Sequence, residues 1–179
     1  MDLQTRTSRP QDQANGTRKG VSMQDILLLL GQLNYTWTNT ESLLIYLIAG
    51  LARVDKETAI VIFLTLNTTR ARIDLVERLA KMSKTPQPLR EEILALTSSL
   101  GREAALRNKF NHCIYSFDPE SGQGVTQLMR IFEDKSEIKY GKVERLDDRE
   151  IARIQTCISS ITAINRRIWA LVRRHGFPV

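Results

Sequence analysis

The chain has 179 residues, 42% of them hydrophobic and 26% charged, and a formal net charge of +6. That balance excludes a disordered polyelectrolyte and suits one core of about 150–160 residues that needs neither disulfides nor structural metal. The positive excess favours anionic partners such as nucleic acid.

Residues 1–21 are polar, carry Arg6, Arg9, Arg18 and Lys19, and lack the apolar run of a secretory signal. A disordered basic tail is expected there, followed by a single domain over residues 22–179. Ser22 is placed to cap a first long helix reaching about Arg53. Its apolar positions Leu30, Leu33, Trp37, Leu44, Leu47 and Leu51 recur at three- and four-residue steps, with a gap at Thr40. Glu41 lies beside that stripe and, if partly buried, wants a basic partner. The apolar runs 26–30 and 43–51 are separated by Asn34, Asn39 and Glu41. Both fall short of the roughly 18 residues of a membrane span, so no membrane partner and a cytoplasmic location are expected.

Asp55 can cap a second helix over about 56–83, apolar from Ala59 to Leu66 and amphipathic after it. Arg70, Asp74, Glu77, Arg78 and Lys81 form a charged ladder there, read as a solvated face, with a place beside an active site as the sharper alternative. Pro86 and Pro88 end that helix and open a third, from about Leu89 to Tyr115, which Asp118-Pro119 stops. After Gly122-Gln123-Gly124 come two candidate strands, about 125–133 and 137–144, around Asp134-Lys135-Ser136. They read as a β-hairpin inserted at about 122–145, which must pack on the helices or on another subunit to be stable. Asp147 and Asp148 begin a last helix to about His175. Ile151, Ile154, Ile158, Ile161, Ile168 and Val172 form its near-heptad stripe, interrupted by Asn165. The expected fold class is all-α: a helical bundle of about four long helices with a β-hairpin insertion between the last two.

Cys113 and Cys157 both sit in apolar helical patterns and read as buried free thiols in a reducing compartment. Two cysteines and two scattered histidines do not make a zinc set. No glycine-rich phosphate loop, metal-ligand cluster or nucleophile elbow is present in the sequence, so no cofactor is expected. On the last helix Arg153, Arg167 and Arg174 fall seven or fourteen residues apart, with Arg166 and Arg173 alongside, which makes a basic ridge. With Lys135, Lys139 and Lys142, interleaved with Phe132 and Tyr140, it could hold RNA by phosphate contacts and base stacking. For each residue singly, a solvated or core role is as good a reading.

The sharpest local signal is Arg107-Asn108-Lys109-Phe110-Asn111-His112, which holds one of the two histidines. A guanidinium fork suits bidentate phosphate contacts, and an imidazole exchanges protons near neutral pH. At about 100° per residue, Asn108 and His112 stack on one helical face, while Arg107 lies about 140° round from His112. A site using both fits a groove between this helix and another element, such as the same helix of a second subunit.

Near the end of the third long helix and ahead of an insertion, this segment resembles the HEPN family (higher eukaryotes and prokaryotes nucleotide-binding). Its ribonuclease members are small all-α bundles that carry Arg, a polar residue, three further residues and His. The likeness in architecture covers about residues 22–176, and the motif itself covers six. It implies a metal-independent endoribonuclease in which His112 acts as general acid or base around the ribose 2′-hydroxyl and the leaving oxygen. Arg107 would neutralise charge on the pentavalent phosphate, and Asn108 would orient the phosphate or the imidazole. The resemblance also implies RNA as substrate, a homodimer with its site where two protomers meet, and, by analogy, a toxin or phage-defence effector with an antitoxin or regulatory partner. Some relatives carry a tyrosine two residues after the His. Here Ile114 is there and Tyr115 comes one later, so Tyr115 is given no catalytic role.

Two further readings stand beside this one: a non-catalytic helical module binding nucleic acid, nucleotide or a partner protein, and an oligomerisation scaffold without a ligand. The same residues also allow purely structural uses. His112 can offset the dipole at a helix C-terminus, and Arg107 can pair with Glu41 or Asp74. His175 fits no Arg–His spacing and reads as a solvated terminal residue.

Overall fold

A computed structural model of the chain describes residues 22–118, 123–133 and 137–179. The basic tail at 1–21 and the expected turn Asp134-Lys135-Ser136 lie outside these residues. Ser22 opens α1 (Met23–Glu41) with a capping box: its hydroxyl accepts from the Asp25 N–H, and the Asp25 carboxylate accepts from the Ser22 N–H, both at 3.2 Å.

The first helix does not continue to Arg53. It breaks at Ser42-Leu43 and restarts as α2 (Leu44–Ala52). The gap in the apolar stripe marks the place. Thr40 is buried, and its hydroxyl donates to the Thr36 carbonyl at 2.8 Å while accepting from Asn165 Nδ2 at 3.1 Å. A hydroxyl that back-bonds to the preceding turn competes with the helical ladder. Beyond the break Leu44, Leu47 and Ile48 are buried in the core. Arg53, in the left-handed region at φ 59°, ends α2.

Asp55 caps α3 (Lys56–Thr65), accepting from the Thr58 N–H at 2.7 Å. The second expected helix is likewise two. Leu66 is extended, and Thr68 caps a new helix, α4 (Thr69–Ala80), by accepting from the Ala71 N–H at 3.1 Å. The passage from apolar run to charged ladder is therefore a change of helix.

Following Pro86, α5 (Gln87–Asn111) runs 25 residues and stops short of Tyr115. The next residues form strand β1 (Cys113–Phe117), followed by β2 (Gly124–Leu128), β3 (Ile131–Glu133), β4 (Ile138–Tyr140) and β5 (Val143–Arg145). The expected hairpin is present but bent: β2 pairs with β5 and β3 with β4, all antiparallel, with irregular residues between. It also gains a third strand, because β1 pairs with β2 in the order β1-β2-β5, with Ile114 opposite Gln127 and Gln127 opposite Val143. The segment Cys113–Phe117 alternates half-buried and exposed with period two, so its apolar residues suit a sheet and not the end of a helix. The Tyr115 hydroxyl donates to the Phe110 carbonyl at 2.6 Å, satisfying an acceptor in the last turn of α5.

Asp147 caps α6 (Asp148–Arg174), accepting from the N–H groups of Arg149 and Glu150. Ile154, Cys157, Ile161, Ile164, Ile168, Leu171 and Val172 are buried, whereas Ile151 and Ile158 are only half-buried. α6 packs against α1 and α5, α4 against α5, and α2 against both α3 and α4. The chain is thus mainly helical with a small three-stranded antiparallel sheet. Among the described residues, no helix is long and apolar enough to cross a membrane.

Candidate functional site

The end of α5 is where helix, sheet and hairpin meet. His112 is its C-cap: the backbone N–H donates to the Asn108 carbonyl at 3.1 Å, and the carbonyl accepts from the Met129 N–H at 2.7 Å. The backbone is thereby held from both sides, while the side chain is exposed and, among the described residues, has no hydrogen-bond partner. Beside it opens a cleft of about 460 Å³. Asn108, Lys109 and His112 line it from the helix, and Leu128, Met129 and Arg130 from the root of the hairpin.

Arg107 sits round the helix from this cleft, half-buried against α1. Its guanidinium lies 5.6 Å from the Trp37 ring centroid, and Nη1 donates to Asn108 Oδ1 at 3.0 Å. With its oxygen turned to Arg107, the Asn111 carboxamide accepts from Nε at 3.0 Å and Nη2 at 3.2 Å. Its nitrogen then donates to Asn34 Oδ1 at 3.1 Å. A guanidinium has five N–H donors, so, among the described residues, these three bonds leave two without a partner. The structure therefore joins Arg107 to Asn108 and brings Asn108 and His112 to one cleft. It does not bring Arg107 to that cleft's wall.

Two structural pairings open to Arg107 are filled by other residues. Glu41 finds its basic partner in Arg72 at 3.1 Å and also accepts from Thr69 Oγ1 at 2.6 Å and Trp37 Nε1 at 3.1 Å. Asp74 pairs with Arg70 at 2.9 Å.

Lys109, in the middle of the motif, is committed inward. Its ammonium donates to Glu144 at 2.5 Å and Glu150 at 3.0 Å, tying α5 to β5 and α6. Burial is the largest single influence on this lysine and lowers its pKa, yet the hydrogen bonds and charges of the two carboxylates together raise it above the ordinary value. For Glu150, burial pushes upward, and Arg153 and Lys109 together hold the carboxyl below the ordinary range.

The basic ridge of α6 is divided. Arg153 pairs with Glu150 at 2.5 Å and Arg174 with Glu92 at 2.8 Å. Arg166, Arg167 and Arg173 are exposed and form no ion pair with another described residue. Among the hairpin residues, Lys135 and the side chains of Phe132 and Lys139 lie outside what the structure describes. Tyr140 is 73% exposed, and Lys142 stands 4.0 Å from Glu144. Both cysteines are free, Cys113 half-buried and Cys157 buried. Burial pushes both thiols up, Cys157 to about 12, which leaves it an unreactive core residue at neutral pH. Burial likewise raises the pKa of the Tyr115 phenol. His175 is exposed, its ring 5.9 Å from that of Phe177.

Sequence reasoning missed the cradle of Arg107 and the hairpin side of the cleft. Asn34 and Trp37 are one turn apart on α1, but that Trp37 faces Arg107 and Asn34 faces Asn111 follows from the packing of two helices far apart in sequence. The residue Gly141 inside a strand pattern was the available sign of a bend that carries Met129 toward His112. No family model matches the chain, and no curated protein or solved structure is found similar to it.

Proposed function

We propose that the protein is a metal-independent endoribonuclease of HEPN type that works as a homodimer. The observation that carries this reading is the exposed His112 ring in a cleft shared with Asn108, whose amide oxygen is itself held by Arg107. In the proposed reaction an imidazole takes the proton of a ribose 2′-hydroxyl, and the 2′-oxygen attacks phosphorus. The bond from phosphorus to the 5′-oxygen breaks, and that oxygen gains a proton. The products are a 2′,3′-cyclic phosphate and a 5′-hydroxyl end. Two copies meeting along α5 would bring Arg107 of one toward His112 of the other, which answers the roughly 140° between them on a single helix. The two uncommitted N–H groups of Arg107 would then meet the charge that builds on phosphate.

The second reading is a non-catalytic module that binds nucleic acid through the exposed arginines of α6. It is favoured by the seating of Arg107 over Trp37, which is also the geometry of a structural clamp between α5 and α1.

Incubating the purified chain with mixed RNA in excess EDTA, beside folded Arg107→Ala and His112→Ala proteins, separates the two. The ribonuclease reading expects 2′,3′-cyclic phosphate ends, with rates falling by about 10²–10⁴ in His112→Ala. Intact RNA, or equal cleavage by all three proteins, sinks it. RNA binding that persists without cleavage supports the module.

A further inference from the structure

We propose that Leu128 and Met129, at the root of the hairpin, form the base-contacting wall of the His112 cleft, so that the hairpin sets which nucleotide is held there. The role at a cleavage position rests on the ribonuclease reading; the binding of a nucleotide does not.

The hairpin is bent where the cleft needs a wall. Regular pairing of β2 stops at Leu128. The Met129 N–H leaves the ladder to donate to the His112 carbonyl, and the Arg130 N–H folds back on the Leu128 carbonyl at 2.9 Å. Opposite it, between β4 and β5, Gly141 is buried, and a Cβ there would stand 1.8 Å from the Leu128 carbonyl oxygen. Only glycine lets the two backbones cross this closely. Gly141 thus makes the bend, and the bend sets Met129 beside the residue that caps α5.

The consequence is a cleft with two unlike sides. His112 and Asn108 present an imidazole and an amide from the helix beside Lys109, whereas Leu128 and Met129 present apolar side chains from the hairpin, with Arg130 next to them. Met129 is 67% exposed, although its own backbone is hydrogen-bonded into the structure. A nucleotide has this same division, with an anionic phosphate and a hydroxylated ribose on one side and a flat π-face on the other. The volume of about 460 Å³ lies within the range of small-ligand sites. A thioether is flexible and polarisable and makes favourable contacts with aromatic rings, so Met129 suits a base better than a rigid aliphatic chain would.

The test uses the full chain labelled at methionine methyl groups and titrated with uridine or adenosine 3′-monophosphate by NMR. With four methionines and two histidines in the sequence, Met129→Leu and His112→Gln proteins assign the two reporters. The proposal expects the Met129 methyl and the His112 ring to shift together with one Kd. Met129→Ala, shown to be folded by thermal unfolding, should raise that Kd by about three- to tenfold, with Met129→Leu in between. No saturable shift, or an unchanged Kd in Met129→Ala, overturns it. A parallel digest of randomised single-stranded RNA separates the two claims. Nucleotide binding with intact RNA keeps the wall and removes the ribonuclease; cleavage with the same base preference and Kd in Met129→Ala does the reverse.

Discussion

Lys109 and Phe110 are the members of the Arg107–His112 segment that the fold consumes, one in an ion-pair clamp and the other in the core. Replacing Lys109 by Met leaves Glu144 and Glu150 facing each other without their common cation. Both carboxylates are a third exposed or less, so the expected cost is about 1–3 kcal/mol, below that of a fully buried pair and above that of a surface one. The pH dependence follows from the two shifts. The raised lysine contributes stability that is complete below its unfolded value and is lost as pH rises through the higher folded one. The lowered Glu150 contributes stability that is present above its unfolded value and is lost as pH falls through the folded one. Urea unfolding should therefore give a constant difference between the parent and Lys109→Met from about pH 5 to pH 10, shrinking on either side. A difference that grows outside that window would contradict the clamp. At this scale the order Arg, Asn, His of the candidate segment could be read from the chain. The inward turn of Lys109 could not, because its two carboxylates lie 35 and 41 residues further on.

Element boundaries show a second kind of information. Each expected long helix in the first half of the chain is two helices, and each break has a small polar residue beside it: buried Thr40 in the stripe before Ser42, and exposed Thr68 as the cap of α4. The Glu41–Arg72 pair, at 12% and 18% side-chain exposure, holds the end of α1 to the start of α4, spanning both joints. Arg72 also donates to the Phe63 and Leu66 carbonyls and lies over the Phe63 ring, so it closes α3 as well. Arg72→Met should cost about 2–4 kcal/mol by denaturant unfolding, with Glu41 left uncompensated. A loss below 0.5 kcal/mol, on the order of a surface substitution, would contradict this account. In the hairpin, Gly141→Ala forces the strands apart and should cost about 1–3 kcal/mol. Hydrogen exchange should quicken at the Met129 amide before it does in α5, because the bond to His112 depends on that crossing. The presence of a hairpin was legible from its strand-forming residues. Its third strand was not, since five residues after a helix can extend either the helix or a sheet, and only pairing with Gly124–Leu128 decides between them.

Across the whole molecule, the formal charge of +6 is unevenly usable. Arg153 and Arg174 are engaged by Glu150 and Glu92, whereas Arg166, Arg167 and Arg173 are exposed and have no ion pair among the described residues. If the chain binds RNA as proposed, replacing these three by Gln should lower the slope of log binding constant against log salt by about 2 for single-stranded RNA. Arg153→Gln and Arg174→Gln should each change it by less than the share of about 0.7 expected per freely contacting arginine. Filter binding across a salt series checks this, and an unchanged slope would remove the ridge from any RNA interface. The sequence by itself determined the mainly helical class, the caps at Ser22, Asp55 and Asp147, the insertion, and the residue types offered at the candidate site. Those depend on local periodicity and on hydrogen bonds within a few residues. Only the tertiary structure decided that Arg72 answers Glu41, that Arg107 lies over Trp37 while His112 faces the hairpin root, and which arginines remain free. Such pairings join residues tens of positions apart, and they are set by how the helices pack and where the chain turns, which no short window of sequence contains.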